Sequence, residues 1–263
     1  MNAVTRAGLA AVGLVVAGSL PASAQIPGMP LFTNPRYGTG IRVHADFGQA
    51  TEATVADRVI QGGLSLALGP IGLGANVGVL KDDLAETQTC VQNPTLGCED
   101  QTVTASALAQ LRVAGGGASN LSLSLFGGAS TDITAADAFD CANVVPPAQV
   151  ASCNALAAQY GAGARQLTIP VGVAVGLRIP LGLGSLNLWG APRYNITRFI
   201  NCAAANQAIC DQPSESEFRW AVGADFPILR VLSIRAAYDS GKIGNQTVAF
   251  WGLGASIGLG GMR

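Results

Sequence analysis

Ten segments of this chain alternate between apolar residues and small or polar residues, and this period of two restricts the fold more than any other feature. In the segment 166–180, Leu167, Ile169 and Val171 share one face, whereas Gln166 and Thr168 share the other. One such segment proves nothing, because a strand of a soluble protein alternates in the same way. Ten segments of roughly ten residues, however, are typical of the strands of a membrane-spanning β-barrel.

The ten predicted strands are separated by short turns and longer links in alternation. The strands are predicted at 37–49, 57–69, 71–81, 101–114, 120–129, 166–180, 185–197, 217–226, 231–239 and 246–259. Tight turns are expected at 69–70, 114–119, 181–184 and 227–230, and longer links at 50–56, 82–100, 130–165, 198–216 and 240–245. Short turns on the periplasmic side and longer loops on the outer side are the pattern of outer-membrane barrels. Pro170 and Pro192 cannot donate to a strand ladder, and we expect a bulge at each.

The composition differs from that of an ordinary soluble domain. Only 12% of the residues are charged, 34 are glycine and the mean hydropathy is +0.37, whereas a soluble domain carries about 25% charged residues. Beyond residue 24, no uninterrupted apolar stretch is long enough for a spanning helix. A closed barrel is the other structure that satisfies every backbone group in lipid. The sequence therefore predicts a closed antiparallel transmembrane barrel, with eight strands as the alternative to ten if two weak segments fail to pair.

The N-terminus predicts export. A basic residue, Arg6, precedes a short apolar stretch at 7–20 and a small-residue cleavage site at 21–24, as in a secretory signal peptide. We therefore expect a cleaved signal peptide at 1–24, a periplasmic segment at 25–36, the barrel at 37–259 and a tail at 260–263.

The six cysteines fall in three local pairs, and every pair lies in a longer link. The predicted disulfides are Cys90–Cys98, Cys141–Cys153 and Cys202–Cys210. Six cysteines allow 15 connectivities, and local pairing is the simplest because long segments separate the pairs. Zinc is a poor alternative, since the only histidine is His44 and no pair has CxxC spacing.

Taken together, these patterns resemble the small outer-membrane β-barrel proteins of bacteria with two membranes. The resemblance covers 37–259 and rests on pattern, not on a signature motif. It implies periplasmic chain ends, with outer-membrane lipid and the barrel-assembly machinery as partners. One departure is the C-terminus: such barrels commonly end in an aromatic residue, whereas this chain ends in Met262 and Arg263. The soluble alternative, an exported β-sandwich or lipocalin-like barrel, would place charged residues on its outer face; here almost every charge in a strand shares the face of the glycines.

The inward face is predicted to carry a cluster of charged residues, which we expect to form ion pairs in a filled interior. Its members are Arg42, His44, Asp46, Arg112, Arg178, Arg193, Glu217, Arg219, Asp225, Arg235 and Asp239, with Arg58 added if it lies near the rim.

The predicted role is structural or surface-exposed binding and adhesion. The first alternative is a narrow passive diffusion pore for small polar solutes. The second is an outer-membrane hydrolase, because His44 and Asp46 share one strand face and could act as an acid–base pair. The omptin proteases resemble the chain in strand number only. We predict no catalytic residue, cofactor or metal, and the net charge of −1 gives no electrostatic footprint for nucleic acid.

Overall fold

The chain forms ten antiparallel strands in a computed structural model. The structure describes residues 40–51, 58–81, 101–116, 119–133, 165–181, 184–200, 210–211, 214–229, 231–243 and 246–259. The strands are β1 Gly40–Ala50, β2 Arg58–Leu68, β3 Ile71–Lys81, β4 Gln101–Gly115, β5 Leu121–Asp132, β6 Arg165–Leu181, β7 Gly184–Ile200, β8 Glu215–Pro227, β9 Leu232–Ile243 and β10 Gln246–Leu259. Each strand pairs with the next, and β1 pairs with β10, so the sheet closes on itself. The prediction of ten strands is confirmed, and the eight-stranded alternative is wrong.

The barrel is narrow, and its strands are strongly staggered. The row of paired residues that starts at Asn187 on β7 returns to the same strand at Phe199, a stagger of about 12 residues. With strands about 4.8 Å apart, this stagger tilts them by roughly 40° and gives a backbone cylinder of roughly 10 Å radius. Large inward side chains can therefore reach across one intervening strand to a partner on the next.

The apolar core of the molecule lies inside the barrel. Its largest members are Val59, Leu80, Phe126, Trp189 and Phe250. The outer face is also apolar, with side chains such as Ile60, Leu64 and Tyr194 more than half exposed.

The connection between β2 and β3 shows how local sequence sets the hairpins. Gly69 has a φ of +59°, a left-handed conformation that glycine adopts without a steric penalty. Pro70 completes this two-residue turn, and its carbonyl oxygen accepts a hydrogen bond from the backbone N–H of Arg112 at 2.7 Å.

Several strands extend further toward the longer links than the alternation predicted, among them β5, β7 and β9. The largest difference is in β9, which was predicted to end at Asp239 and instead continues to Ile243, so that only two residues separate it from β10. The expected longer link at 240–245 is therefore wrong. Backbone pairing with β10, which does not require an apolar side chain, carries β9 past the end of its apolar pattern.

The two prolines do not shift the strand register. Pairs on either side of Pro170 and Pro192 keep one register, so the bulges expected there are wrong, and each proline only omits one donor from the ladder. The register shift that the described pairings show is on β4, between Arg112 and Ala114.

Among the described residues, no helix is long and apolar enough to cross a membrane.

Candidate functional site in the barrel interior

The interior brings together the charged residues that the sequence placed there. The structure puts Arg42, His44, Asp46, Arg112, Arg178, Arg193, Glu217, Arg219, Asp225, Arg235 and Asp239 on the inner face of their strands. Asp132 also faces inward at the end of β5. Sequence reasoning missed it because the predicted strand ended at 129.

Arg58 was expected to face inward, and this expectation is wrong. Val59 is buried inside the barrel, and because the side chains of a strand alternate between its faces, Arg58 lies on the outer face. Its paired residue on β3 is Lys81, which also faces outward.

One group of inward side chains centres on Asp46 and joins three strands. The Nε of Arg235 donates a hydrogen bond to Asp46 Oδ1 at 2.9 Å, and Arg235 Nη2 lies 2.7 Å from the same oxygen. Gln61 Nε2 donates to Asp46 Oδ2 at 3.0 Å. Both carboxylate oxygens are therefore engaged, as a nearly buried carboxylate requires. We call Asp46, Arg235 and Gln61 the Asp46 cluster.

His44 extends this group to β3 and β4. Its Nε2 lies 3.9 Å from Asp46 Oδ2 and forms a hydrogen bond with Asn76 Oδ1. Asn76 in turn donates to the hydroxyl of Ser106 at 3.2 Å. Alternation puts Asn76 and Ser106 on the polar face of their strands, but it could not show that they continue the His44 contacts.

Inward-facing glycines make room for these contacts. A Cβ at Gly63 would collide with Asn76 and His44, and one at Gly254 would collide with the carboxylate of Asp46. Each glycine lies on the strand between the two partners, so the side chains reach across a whole strand.

A second group of inward side chains lies on β7, β8 and β9, nearer the longer links. Asp239 accepts a hydrogen bond from Arg219 Nε at 3.1 Å, and its other oxygen lies 2.7 Å from Arg193 Nη2. Arg193 Nε also donates to Asn195 Oδ1 at 3.2 Å. The exposed fractions are 0% for Arg219, 2% for Arg193 and 3% for Asp239. We call Arg193, Arg219 and Asp239 the Asp239 cluster.

The remaining inward arginines lie near the short-turn end. Arg42 Nη1 donates to the hydroxyl of Ser233 at 3.3 Å. Arg112 Nη2 donates to the carbonyl oxygen of Gly69 at 2.7 Å, which fixes it to the β2–β3 turn. Arg178 is exposed at this end of the barrel.

The geometry of the interior supports structural ion pairs better than it supports a catalytic role for His44. The side chain of His44 is only 9% exposed, and the hydrogen bonds described for it involve an amide and not a hydroxyl nucleophile. Within the described ranges, no group of three or more His, Cys, Asp and Glu residues could hold a metal ion.

No protein-family model matches the sequence, and no curated protein matches it. Several solved outer-membrane β-barrels are similar in structure. The β-domain of the Bordetella autotransporter BrkA has a TM-score of 0.45 and 9% identity, over 83% of this chain and 98% of that one. The N-terminal barrel domain of Pseudomonas aeruginosa OprF has a TM-score of 0.35 and 9% identity, over 85% and 100%.

The outer membrane protein Ail of Yersinia pestis is also similar, with a TM-score of 0.37 and 10% identity, over 84% of this chain and 100% of that one. These likenesses are too distant to assign a family or a function. The description of the chain as a closed ten-stranded barrel rests on its own strand pairing.

Of the six cysteines, only Cys210 is among the described residues. It is disulfide-bonded, and its partner lies outside those residues. The pairs Cys90–Cys98, Cys141–Cys153 and Cys202–Cys210 therefore stay predictions. The signal peptide at 1–24, the segment at 25–36 and the tail at 260–263 also lie outside the described residues.

Proposed function

We propose that the chain is an outer-membrane barrel whose filled interior makes it a rigid support for surface-exposed links that bind or adhere. The observation that carries this proposal is the burial of the Asp239 cluster. In a water-filled channel, inward polar side chains stay accessible. Here the inward guanidinium groups of Arg193 and Arg219 are almost fully enclosed.

The outer surface supports a membrane location. Below the loop ends of the strands, every outward residue is apolar, glycine or proline, around the whole circumference. A soluble monomer rarely exposes an apolar patch of more than a few hundred Å², whereas lipid accommodates such a belt.

The arrangement of the connections supports a role on one side of the membrane. The connections at 82–100, 133–164 and 201–214 all leave the same end of the barrel, while two-residue connections such as 69–70 and 182–183 lie at the other. Ile41 pairs with Leu259, so both ends of the barrel sequence lie at the short-turn end. In an outer-membrane barrel this is the periplasmic end.

Conductance across a planar bilayer tests the filled interior. We expect no reproducible single-channel steps from the purified, refolded protein. The double variant Arg219→Ser with Asp239→Ser removes the centre of the Asp239 cluster and is expected to produce steps, which also shows that the barrel inserts. Reproducible steps from the unaltered protein would favour the narrow pore instead.

Surface exposure of the links is tested in intact cells. External protease is expected to cut within 133–164. The strands should stay protected in the membrane, and the short turns on the periplasmic side are out of reach of the protease. Deleting 140–155 is then expected to lower binding of the cells to a surface that they otherwise colonise. Cleavage only after the outer membrane is permeabilised would contradict the proposal.

A further inference from the structure

Charged residues appear on the outer face of the described strands only at the loop end, and all of those with described side chains are basic. They form a set that we call the basic collar: Arg58, Lys81, Arg165, Arg198 and Lys242. We propose that the basic collar binds the phosphate groups of an anionic glycolipid in the outer leaflet. The inference rests on the proposed membrane location and deepens it by naming the class of lipid.

The height of the collar matches the headgroup region of a bilayer. On β3, the outward residues from Ile71 to Val79 are apolar, and Lys81 is the next outward position. On β7, Arg198 follows Tyr194 and Ile196 in the same way. Lys81 and Arg198 thus lie directly beyond the apolar belt, where lipid acyl chains give way to headgroups.

The cations are grouped and not spread evenly. Arg58 and Lys81 are direct cross-strand neighbours. On the far side of the barrel, Arg165 pairs with Ile200 while Arg198 pairs with Leu167, which places the two arginines diagonally on adjacent strands. Like charges so close together repel each other, and a bound phosphate beside Arg165 and Arg198 would offset their repulsion. Arginine also binds phosphate through two parallel hydrogen bonds.

No hydrogen bond or ion pair joins Arg165, Arg198 or Lys242 to any other residue that the structure describes. Their guanidinium and ammonium groups are therefore available to an external anion. No outward carboxylate of a described strand competes with the ligand for them.

One member of the collar, Lys242, lines a cavity at the rim. The cavity has a volume of about 750 Å³ at the loop ends of β8, β9 and β10, within the range of small-molecule sites. The outward part of its lining is Ser216, Phe218, Trp220, Ser240, Lys242 and Thr247. Glu217 and Gly241 complete the lining from the inward face.

The chemistry of this lining suits a glycolipid better than free phosphate. Lys242 supplies a cation, and the serine and threonine hydroxyls can donate hydrogen bonds to phosphate or sugar oxygens. Phe218 and Trp220 lie below them on the apolar belt, beside Tyr194 and Tyr238. Aromatic rings at this depth are typical of the membrane interface, and here they would contact the acyl chains of the same molecule.

The test compares retained lipid among variants of the full chain in mixed vesicles. The collar variant is Arg165→Gln, Arg198→Gln and Lys242→Gln. The single variant Arg198→Gln is compared with Arg178→Gln, which removes the same charge from an exposed arginine at the opposite end. Lipid A and its dephosphorylated form serve as probes, and the lipid bound to each barrel is counted by mass spectrometry after exchange into detergent.

We expect the unaltered barrel to retain lipid A at least tenfold more than the dephosphorylated lipid, and the collar variant to lose about that tenfold preference. Arg198→Gln should lower retention severalfold, and Arg178→Gln should not. Equal retention of the two lipids, or an unchanged preference in the collar variant, would overturn the inference. Competition by millimolar inorganic phosphate alone would assign the site to free phosphate and also overturn it. A barrel that inserts but shows no preference defeats only this inference, whereas failure to insert defeats the proposed membrane function.

Discussion

At the scale of single residues, the carboxylate of Asp239 decides whether two buried arginines are tolerated. Arg193 and Arg219 both contact it, and both are almost fully enclosed. Asp239→Asn leaves two cations facing each other without a counter-charge. We expect a loss of about 3–5 kcal/mol in the free energy of unfolding, the cost of breaking a buried ion pair from one side.

The measurement is urea unfolding in lipid vesicles, followed by tryptophan fluorescence. Asp225→Asn is the control, because Asp225 also faces inward but is only partly buried, so its loss should be clearly smaller. A loss below about 1 kcal/mol for Asp239→Asn, as for an exposed ion pair, would show that water reaches this cluster.

The inward glycines give a second prediction at this scale. A Cβ at Gly254 would collide with Asp46 Oδ1 and lie 2.9 Å from Arg235 Nε, whereas one at Gly62 would meet only the carbonyl oxygen of His44 at 3.7 Å. Gly254→Ala should therefore destabilise the barrel by about 1–3 kcal/mol through overpacking. Gly62→Ala, on the outer face, should be neutral or slightly stabilising. Equal losses of stability at both positions would mean that the side chains of the Asp46 cluster can move to accommodate the added methyl group.

At the scale of the strand, depth along the outer face should decide the cost of a new charge. On β3, Ala75 lies in the middle of the apolar belt, and Val79 lies one outward position below Lys81. We expect Ala75→Arg to cost about 2–4 kcal/mol and Val79→Arg about 0–1 kcal/mol, since arginine is most costly at the bilayer midplane. Equal costs, measured by unfolding in vesicles, would contradict a lipid-facing β3.

The links that contain cysteines should respond to reduction separately from the strands. Each predicted disulfide closes a short loop, which restricts the unfolded link by about 2–3 kcal/mol on the loop-entropy model. Reduction should therefore speed proteolysis within 82–100, 133–164 and 201–214 and leave the strands protected. Non-reducing peptide mapping identifies the pairs, and a bridge between two different links would overturn the local pairing.

The sequence predicted the strands well and their contacts poorly, for a physical reason. Alternation assigns a face directly, and so His44, Asp46 and Arg235 were all placed inside. It contains no information on register, which decides that Asp46 reaches Arg235 on β9 across β10. The alternation also ends where the apolar residues end. The sequence therefore predicted the end of β9 at Asp239, although backbone pairing continues to Ile243.

At the scale of the whole molecule, closure should make the barrel resistant to detergent. A closed sheet has no free edge, and in an apolar environment its backbone groups have no alternative partner. The refolded protein should therefore migrate differently on a denaturing gel before and after boiling. Recovery as a freely soluble monomer without detergent would contradict the membrane assignment.

The contact between Asp46 and Arg235 links strands that lie almost at opposite ends of the sequence, and it has a consequence for assembly. The two residues are 189 positions apart and meet only when β10 stands between β9 and β1. In a sheet that has not yet closed, each would be a charge without this partner in an apolar surrounding, which is costly. The ion pair therefore requires the β1–β10 pairing that closes the barrel. A partly closed sheet has both unpaired backbone groups at its open edge and two charges without their partner. Insertion should therefore proceed as a single cooperative event that ends when the first and last strands meet.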